Sequence, residues 1–557
     1  MMNENMWPQW TEEISERTVT GEDQLGVEGA AQGYQQNILP GIISVSDHAR
    51  YYSFYAWILH RFIIGADSSR LMNDFRGNFF KRHEVALIIA AFAHHMNNKS
   101  FSGVVGSGIN NRKARSYWEE GDIISLDQNY FQNKLGGFGQ YYGTAMEVMG
   151  IVAQPEKTKW VYRLTSRGQA LAEAYQASIE HTQYFKKLEE NGPQEFITKE
   201  DASEYGEVGC LCHQAMNGSQ DKPLLLKTFF RFDVDQNNRH ASRRNSLGVA
   251  LDLVKNADGE FATDMLRPAL YLGEYRQDLR YEPSDQIRDW ARRWQMVEIR
   301  HIYTFGLQCL WAAFLLELHK HKSIKKDQWN TWLLEKLREN NWDVPLKDLA
   351  VLLCSHAGLQ GDYEDLIGNI TLQFGLSTGL DEYSLYLYAR NNQNDSQALC
   401  RTGVAILVQI YLRFYKQFSQ KEPIWEELAN RERLPINSFF SDMKRRMSAG
   451  QYTTEMWLRW VYQEFLFEQH EMIALEKLRY QDYDTFKFYF EDGAFYWPTG
   501  KEPYREPIRL AGNRLNNCIN MLIDLGLIIE NEDGTLILSE QGQEYHTQIL
   551  RGPDGTD

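Results

Sequence analysis

Apolar residues recur at helical spacing along most of the chain. In residues 285–321, 402–418 and 453–478 they return every three or four positions, which is the period of an α-helix with one face in a core. Few segments alternate in the manner of a strand. The main exception is residues 486–497, where Asp-Gly separates two alternating aromatic runs and predicts a β-hairpin. The pattern therefore predicts a mainly α protein.

One pattern occurs twice, in residues 139–175 and 512–549. Each copy has an amphipathic helix ending at a glycine, Gly150 or Gly526, which can close a helix in the left-handed conformation. A short apolar strand, a polar turn and a second alternating strand follow, and a Ser or Thr then caps a final helix. This order resembles a winged helix, the helix-turn-helix variant whose hairpin forms the wing.

With these two copies, the chain is predicted to be a multi-domain helical body with two winged-helix-like modules that carry small β-hairpins. Four domains are expected, in chain order: 1–100, an N-terminal arm and aromatic helical region; 101–190, the first winged-helix-like module; 191–480, the helical body; and 481–557, the C-terminal winged-helix-like module with the extra hairpin.

Composition and charge restrict the partners and the compartment. The net charge of −16 argues against a surface coated for non-specific nucleic-acid binding, although local basic clusters remain possible. Six cysteines in 557 residues do not make a disulfide framework, and the first residues lack a secretion-signal pattern, so a cytoplasmic protein is expected. The apolar run within residues 302–322 is too short to span a bilayer and predicts a core helix, with no membrane partner.

Residues 46–62 are unusually rich in aromatic and basic side chains, and they lie in a predicted helix that Ser46 or Asp47 caps and that runs to about Ile64. Its apolar positions follow helical spacing, which favours a core helix. A stacking platform for bases is the alternative, and it requires the aromatics to be exposed in a basic groove. Tyr52, Trp57 and Arg61 are the residues predicted to contact a partner protein.

Residues that could carry chemistry show no recognised catalytic motif, so no catalytic residue and no cofactor are predicted. Tetrahedral zinc requires four ligands, usually in two close pairs with C-x₂-C-like spacing. The spacings here are C-x-C-H and C-x-H, so buried thiols are favoured over a metal site. For the pair His94 and His95, a capping or surface role is favoured. The residues tested in this way are Cys210, Cys212 and His213, Cys354 and His356, and His94 and His95.

Basic and amide side chains supply the candidates for contacts with double-stranded DNA. The N-terminal copy is basic, and two of its lysines lie on the predicted wing, where phosphate contacts are common. The C-terminal copy has an acidic wing that should repel DNA, so it either reads bases through its helix or docks a protein. The DNA-binding candidates are Lys157, Lys159, Arg163 and Arg167 in the first copy, Arg514, Asn516, Asn517 and Asn520 in the second, and Arg243 and Arg244 between them.

The segment LPGIISVSDHARYYSFYAWILHRF, residues 39–62, together with the helical body and its winged ends, resembles uncharacterised bacterial anti-phage defence proteins. These proteins sit beside ATPases and nucleases. The resemblance implies a non-catalytic DNA-binding or adaptor subunit with an ATPase or nuclease partner, and homo-oligomers are compatible with it. A divergent metal-dependent nuclease or effector and a transcriptional regulator are the alternatives.

Overall fold

The computed structural model describes residues 23–64, 79–96, 107–126, 136–154, 162–234, 239–367, 375–431, 433–450, 452–479, 485–498 and 508–551. The protein is 68% helix and 7% strand, with several small sheets. The predicted mainly α class with small β-hairpins is therefore confirmed.

The helices vary from single turns to a helix of 34 residues. In chain order they are α1 Glu28–Ile38, α2 Tyr51–Ile64, α3 Phe79–His94, α4 Ser107–Glu120, α5 Gly143–Val148, α6 Ser166–Ile179, α7 Gln183–Asn191, α8 Lys199–Gly209, α9 His213–Met216, α10 Asp221–Phe230, α11 Arg239–Asn256, α12 Leu266–Leu272, α13 Arg288–His321, α14 Lys326–Glu339, α15 Leu346–His356, α16 Tyr363–Leu366, α17 Glu382–Asn391, α18 Ser396–Gln420, α19 Pro423–Ala429, α20 Ile436–Ser448, α21 Thr454–Trp460, α22 Glu468–Leu478, α23 Arg514–Asp524 and α24 Glu540–Arg551. Phe138–Tyr142 and Val461–Phe467 are π-helical.

The strands are short and pair antiparallel, as β1–β4, β2–β3, β5–β6, β10–β11 and the three-stranded sheet β7–β9–β8. Their bounds are β1 Ile123–Ser125, β2 Val152–Ala153, β3 Arg163–Leu164, β4 Phe196–Thr198, β5 Glu274–Arg276, β6 Leu279–Arg280, β7 Ser323–Lys325, β8 Tyr489–Glu491, β9 Ala494–Tyr496, β10 Ile528–Glu530 and β11 Leu536–Leu538.

The chain divides into two compact units. Unit 1 contains Gln36–Phe261 and Asn513–Asp557, and unit 2 contains Ile14–Gln35 and Ala262–Gly512. The predicted aromatic hairpin forms as β8–β9, but β9 pairs with β7, so the hairpin belongs to unit 2 and does not extend the C-terminal module. The two units differ from the four predicted domains because long-range packing joins segments that lie far apart in sequence.

Unit 2 is built on the long helix α13, which packs along α18. The backbones approach closely where Gly403 faces Gly306, because a Cβ on Gly403 would collide with the Gly306 carbonyl oxygen. By length and composition α13 is apolar enough to cross a membrane, but 89% of its most apolar window is buried inside the protein. It is thus a buried helix, as the sequence predicts for residues 302–322.

Unit 1 contains both copies of the repeated pattern, which we call copy A, residues 138–179, and copy B, residues 514–551. In each, the glycine after the first helix has a positive φ, +73° at Gly150 and +71° at Gly526. The next residue, Ile151 or Leu527, follows it into the hairpin and donates its N–H back to the helix at 2.9 Å. The left-handed helix ends predicted from the two glycines are confirmed.

The residue that caps the second helix makes the same bonds in both copies. The backbone N–H groups of Thr165 and Ser539 each donate at 3.0 Å, to the Ile151 and the Leu527 carbonyl oxygen respectively. Their hydroxyl groups also accept the N–H three residues later, from Gly168 at 3.2 Å and from Gly542 at 3.0 Å. The predicted Ser/Thr caps are therefore confirmed by geometry.

A helix from earlier in the chain completes each copy. In copy A, α2 packs against α6 and also contacts β3. In copy B, α11 packs against α23, α24 and β11, and Phe261 adds a single antiparallel bridge to Leu536. Each copy is therefore a helix–hairpin–helix segment whose core is closed by a third helix.

Replacing Gly542 with alanine should destabilise unit 1, because the added Cβ would overlap the Leu527 carbonyl that the cap uses. We expect a loss of about 1–3 kcal/mol in the free energy of unfolding, as for other overpacked sites. Chemical denaturation checks this. Gly121→Ala is the matched control, since a Cβ there meets nothing within 4 Å. Equal stability of both variants would show that the close contact between Gly542 and the Leu527 carbonyl is not required for the fold of copy B.

Candidate nucleic-acid interface

A buried ion pair fixes the start of α2 against α10. The Nε of Arg50 lies 2.9 Å from Oδ2 of Asp221, and both side chains are 0% exposed. The Ser53 hydroxyl donates to the same carboxylate oxygen at 2.7 Å. Burial alone would raise the pKa of Asp221, but the Arg50 guanidinium and these hydrogen bonds outweigh it and lower the pKa. The carboxylate is therefore held ionised beside its partner.

Arg50 also organises the segment between α8 and α9. Its Nη1 donates to the carbonyl oxygens of Val208 at 2.7 Å, Cys210 at 2.8 Å and Ala215 at 3.3 Å. These bonds satisfy a buried guanidinium that would otherwise be costly to remove from water. Arg50 thus binds three carbonyl groups of the segment 208–215.

Arg243 and Arg244 lie on α11 and bind carbonyl groups at the C-terminal end of α10. They are therefore not available to phosphates, which corrects the prediction that they contact DNA. Arg243 donates to the carbonyl oxygens of Phe229 at 2.8 Å and Thr228 at 2.9 Å. Arg244 donates to the Arg231 carbonyl at 2.6 Å. Both arginines are buried, because guanidinium groups complement the carbonyls left open at a helix C-terminus.

A basic cluster surrounds this helix end, and it consists of Arg167, Arg231, Arg239, His240 and Arg243. Burial and, after it, the positive charges of the four arginines together lower the pKa of His240 to about 4. Burial also lowers the pKa of Arg167, and the positive charge of Arg231 is the second cause of that shift. Cations from copy A and from the start of α11 thus lie within electrostatic reach of one another.

Part of this cluster is open to solvent. Arg239 is exposed and Arg167 is half-buried. Arg163 on β3 is exposed as well, four residues before Arg167. Asp233 accepts from Nε of Arg231 at 2.7 Å, which neutralises only part of the local charge. The predicted wing residues Lys157 and Lys159 lie outside the described residues.

The first helix of copy A exposes side chains that the sequence interpretation missed. Gln140 and Thr144 are exposed, and the amide Nε2 of Gln140 donates to the half-buried Tyr141 hydroxyl at 2.8 Å. Gln140 and Thr144 are four residues apart, so they lie on the same side of an otherwise apolar helix, and this spacing could have indicated an exposed polar face. Their amide and hydroxyl groups are chemically suited to base edges or phosphates.

In copy B the corresponding helix, α23, binds the chain's own loop of residues 38–47. The Nη1 of Arg514 donates to the Ile42 carbonyl at 3.2 Å. The amides of Asn517 and Asn520 donate to Oδ1 of Asp47 at 2.7 Å and 3.3 Å. These groups are used inside the fold.

The prediction that four residues of α23 read DNA bases is therefore corrected. Arg514 and Asn517 are buried, and Asn520 is half-buried against the loop. Asn516 is half-buried and its Oδ1 is enclosed by protein. Burial lowers the pKa of Arg514 to about 10. An enclosed polar face cannot present its donors to a DNA groove without losing these bonds.

The aromatic helix α2 is part of the core, which corrects the predicted partner interface. Tyr52 and Trp57 are fully buried, and Tyr52 donates its hydroxyl to the Gly41 carbonyl. The Tyr55 and Tyr142 rings lie 4.6 Å apart. Arg61 forms an ion pair with Glu189. The stacking platform is excluded because its aromatic faces are occupied by neighbouring rings.

Comparisons with protein families, curated proteins and solved structures found no significant match.

Replacing Arg50 with methionine should strongly destabilise unit 1, because Asp221 would remain buried without its counter-charge. We expect a loss of about 3–5 kcal/mol, as for other broken buried pairs. Denaturant unfolding monitored by circular dichroism measures it. Arg445→Met is the control; its side chain is 71% exposed in an i,i+3 pair, and it should change stability by less than about 0.5 kcal/mol. Similar losses in both variants would refute the role of the buried pair.

Proposed function

We propose that this protein is a DNA-binding adaptor subunit that engages double-stranded DNA through copy A. The observation that carries the proposal is the basic cluster beside copy A, in a chain whose net charge is −16. Because the whole molecule repels a polyanion, binding requires cations gathered at one place. Arg167 and Arg239 meet that requirement, and Arg163 on β3 adds an exposed cation to copy A.

The mutual repulsion within the cluster favours an anionic ligand. The arginines that lower the pKa of His240 are close enough for their charges to interact, although Asp233 offsets part of the charge of Arg231 and Arg167. A phosphate backbone would relieve this repulsion and release its own counterions. The exposed Gln140 and Thr144 would then lie on the helix that precedes the hairpin, where a winged helix places its recognition residues.

Copy B supports the adaptor half of the proposal through its charge and its contacts. Its hairpin region exposes Glu530, Glu532, Asp533 and Glu540, which oppose DNA. Its helix α23 is already engaged by the 38–47 loop. Copy B therefore acts as a structural and protein-facing module, and DNA contact is assigned to copy A.

The partners implied by the defence resemblance are an ATPase or a nuclease subunit, in the cytoplasm of a bacterium. On this proposal the chain supplies DNA contact and the partner supplies chemistry. A pull-down with the full chain, followed by mass spectrometry, tests the partner; recovery of plasmid cleavage by the purified chain alone, abolished by a single carboxylate substitution, would replace the adaptor with an enzyme.

The double variant Arg167→Glu/Arg239→Glu should bind duplex DNA at least about tenfold more weakly than the unmodified chain, because phosphate contacts dominate affinity. The slope of log affinity against log salt should also fall by about 2 in magnitude. Fluorescence anisotropy with a labelled duplex over a salt series measures both. Thermal unfolding confirms that the variant remains folded.

The charge-matched control is Lys444→Glu/Arg445→Glu, which alters an exposed basic run in unit 2 by the same amount. It should leave the affinity and the slope unchanged. Asn520→Ala tests copy B and should also leave binding intact. Equal weakening in the Lys444/Arg445 control, or loss of binding only in Asn520→Ala, would contradict DNA binding through copy A.

A further inference from the structure

Two pairs of metal-binding residue types, separated by more than a hundred positions, lie together in unit 1. His94 ends α3 and His95 follows it, whereas Cys210 and Cys212 lie between α8 and α9. The helices α3 and α8 pack closely because Gly206 lies directly on the Ala90 carbonyl, where any Cβ would collide. That close approach brings the two pairs together.

Three of the four donor atoms lie close enough together to share one metal ion. Ligand atoms of His94, His95 and Cys212 all lie within 4.8 Å of one another. The Sγ of Cys210 is 3.5 Å from Nε2 of His95. Tetrahedral zinc with bonds of about 2.3 Å to sulfur and about 2.0–2.1 Å to nitrogen places neighbouring S and N ligands roughly 3.5 Å apart. Three donors thus lie together, and Cys210 adjoins them through its contact with His95.

The side chains of Cys210 and His94 are buried, and the backbone that carries the cysteines is held by hydrogen bonds. Cys210 is fully buried and its carbonyl oxygen accepts from Arg50, which fixes the backbone that carries both sulfurs. His94 is 8% exposed in its side chain, and neither ring nitrogen makes a hydrogen bond within the described part of the chain. Its Nδ1 lies 3.4 Å from Oε1 of Glu207. A carboxylate behind a histidine is a common way to orient a metal ligand.

We propose that His94, His95, Cys210 and Cys212 bind one zinc ion as a structural site. Two thiolates with two imidazoles make a donor set that zinc favours, and four protein ligands leave no position for a substrate. His213, the fourth residue of the C-x-C-H run, is not among the grouped donors, and its Nδ1 lies 3.0 Å from the Asp524 carbonyl oxygen in copy B. The ion would connect the end of α3 to the segment 208–215.

The metal content of the purified full chain tests this proposal. We expect about one zinc per chain by elemental analysis after loading with Zn²⁺ and desalting, as for a four-ligand site. The double variant His95→Ala/Cys212→Ser should bind less than a tenth of that amount. Cys354→Ser/His356→Ala alters the other C-x-H pair and should retain the full content.

Cobalt substitution provides a second readout that does not depend on the variants folding. Co²⁺ added to the chelator-treated unmodified chain should give the intense visible bands of tetrahedral cobalt and a near-ultraviolet thiolate charge-transfer band. Excess Zn²⁺ should remove both. Chelator treatment should also lower the thermal midpoint, since a structural ion stabilises the state that binds it.

Three outcomes would overturn the proposal. The first is an unmodified chain that takes up no Zn²⁺ and shows no cobalt bands. The second is a Cys210→Ser/Cys212→Ser variant that retains the metal. The third is a Cys210–Cys212 disulfide detected by mass spectrometry in the freshly purified chain, since oxidised sulfurs cannot coordinate zinc as thiolates.

Discussion

The buried pair of Arg50 and Asp221 is the interaction on which the rest of unit 1 depends. A guanidinium and a carboxylate without solvent exposure are stable only when every donor and acceptor is satisfied. Arg50 meets this condition by binding Asp221 and three backbone carbonyls. One side chain thereby fixes α2, the segment 208–215 and the start of α10. The two cysteines of the proposed zinc site lie on that segment, and the basic cluster lies at the other end of α10.

The two copies show how one local scaffold can serve two purposes. Their glycines, caps and backbone bonds are equivalent position by position, so the difference lies in what each first helix contacts. The helix of copy A leaves Gln140 and Thr144 in solvent, whereas the helix of copy B holds the 38–47 loop through Arg514 and Asn517. A face committed to its own chain stabilises the fold, and a face left open can bind a ligand. The assignment of DNA to copy A and of structural and docking roles to copy B follows from that difference.

Local patterns made part of this structure predictable. Helical periodicity, the glycines at 150 and 526, and the caps at 165 and 539 depend on neighbouring residues, so the sequence contains what is needed to infer them. Arg243 and Arg244 were misjudged because a basic run in sequence does not reveal that a helix ends beneath it. The grouping of His94 and His95 with Cys210 and Cys212 depends on the packing of α3 on α8, and the one local signal was Gly206, which is required for that close approach.

Hydrogen–deuterium exchange of the full chain, with and without a short DNA duplex, tests DNA binding through copy A most directly. Amides are protected where a ligand orders or covers the backbone. Slower exchange is expected in residues 162–170 and 239–242, with no change in residues 38–47 or 514–524. Protection confined to residues 514–524, or no protection in copy A at a duplex concentration that saturates binding, would contradict DNA binding through copy A.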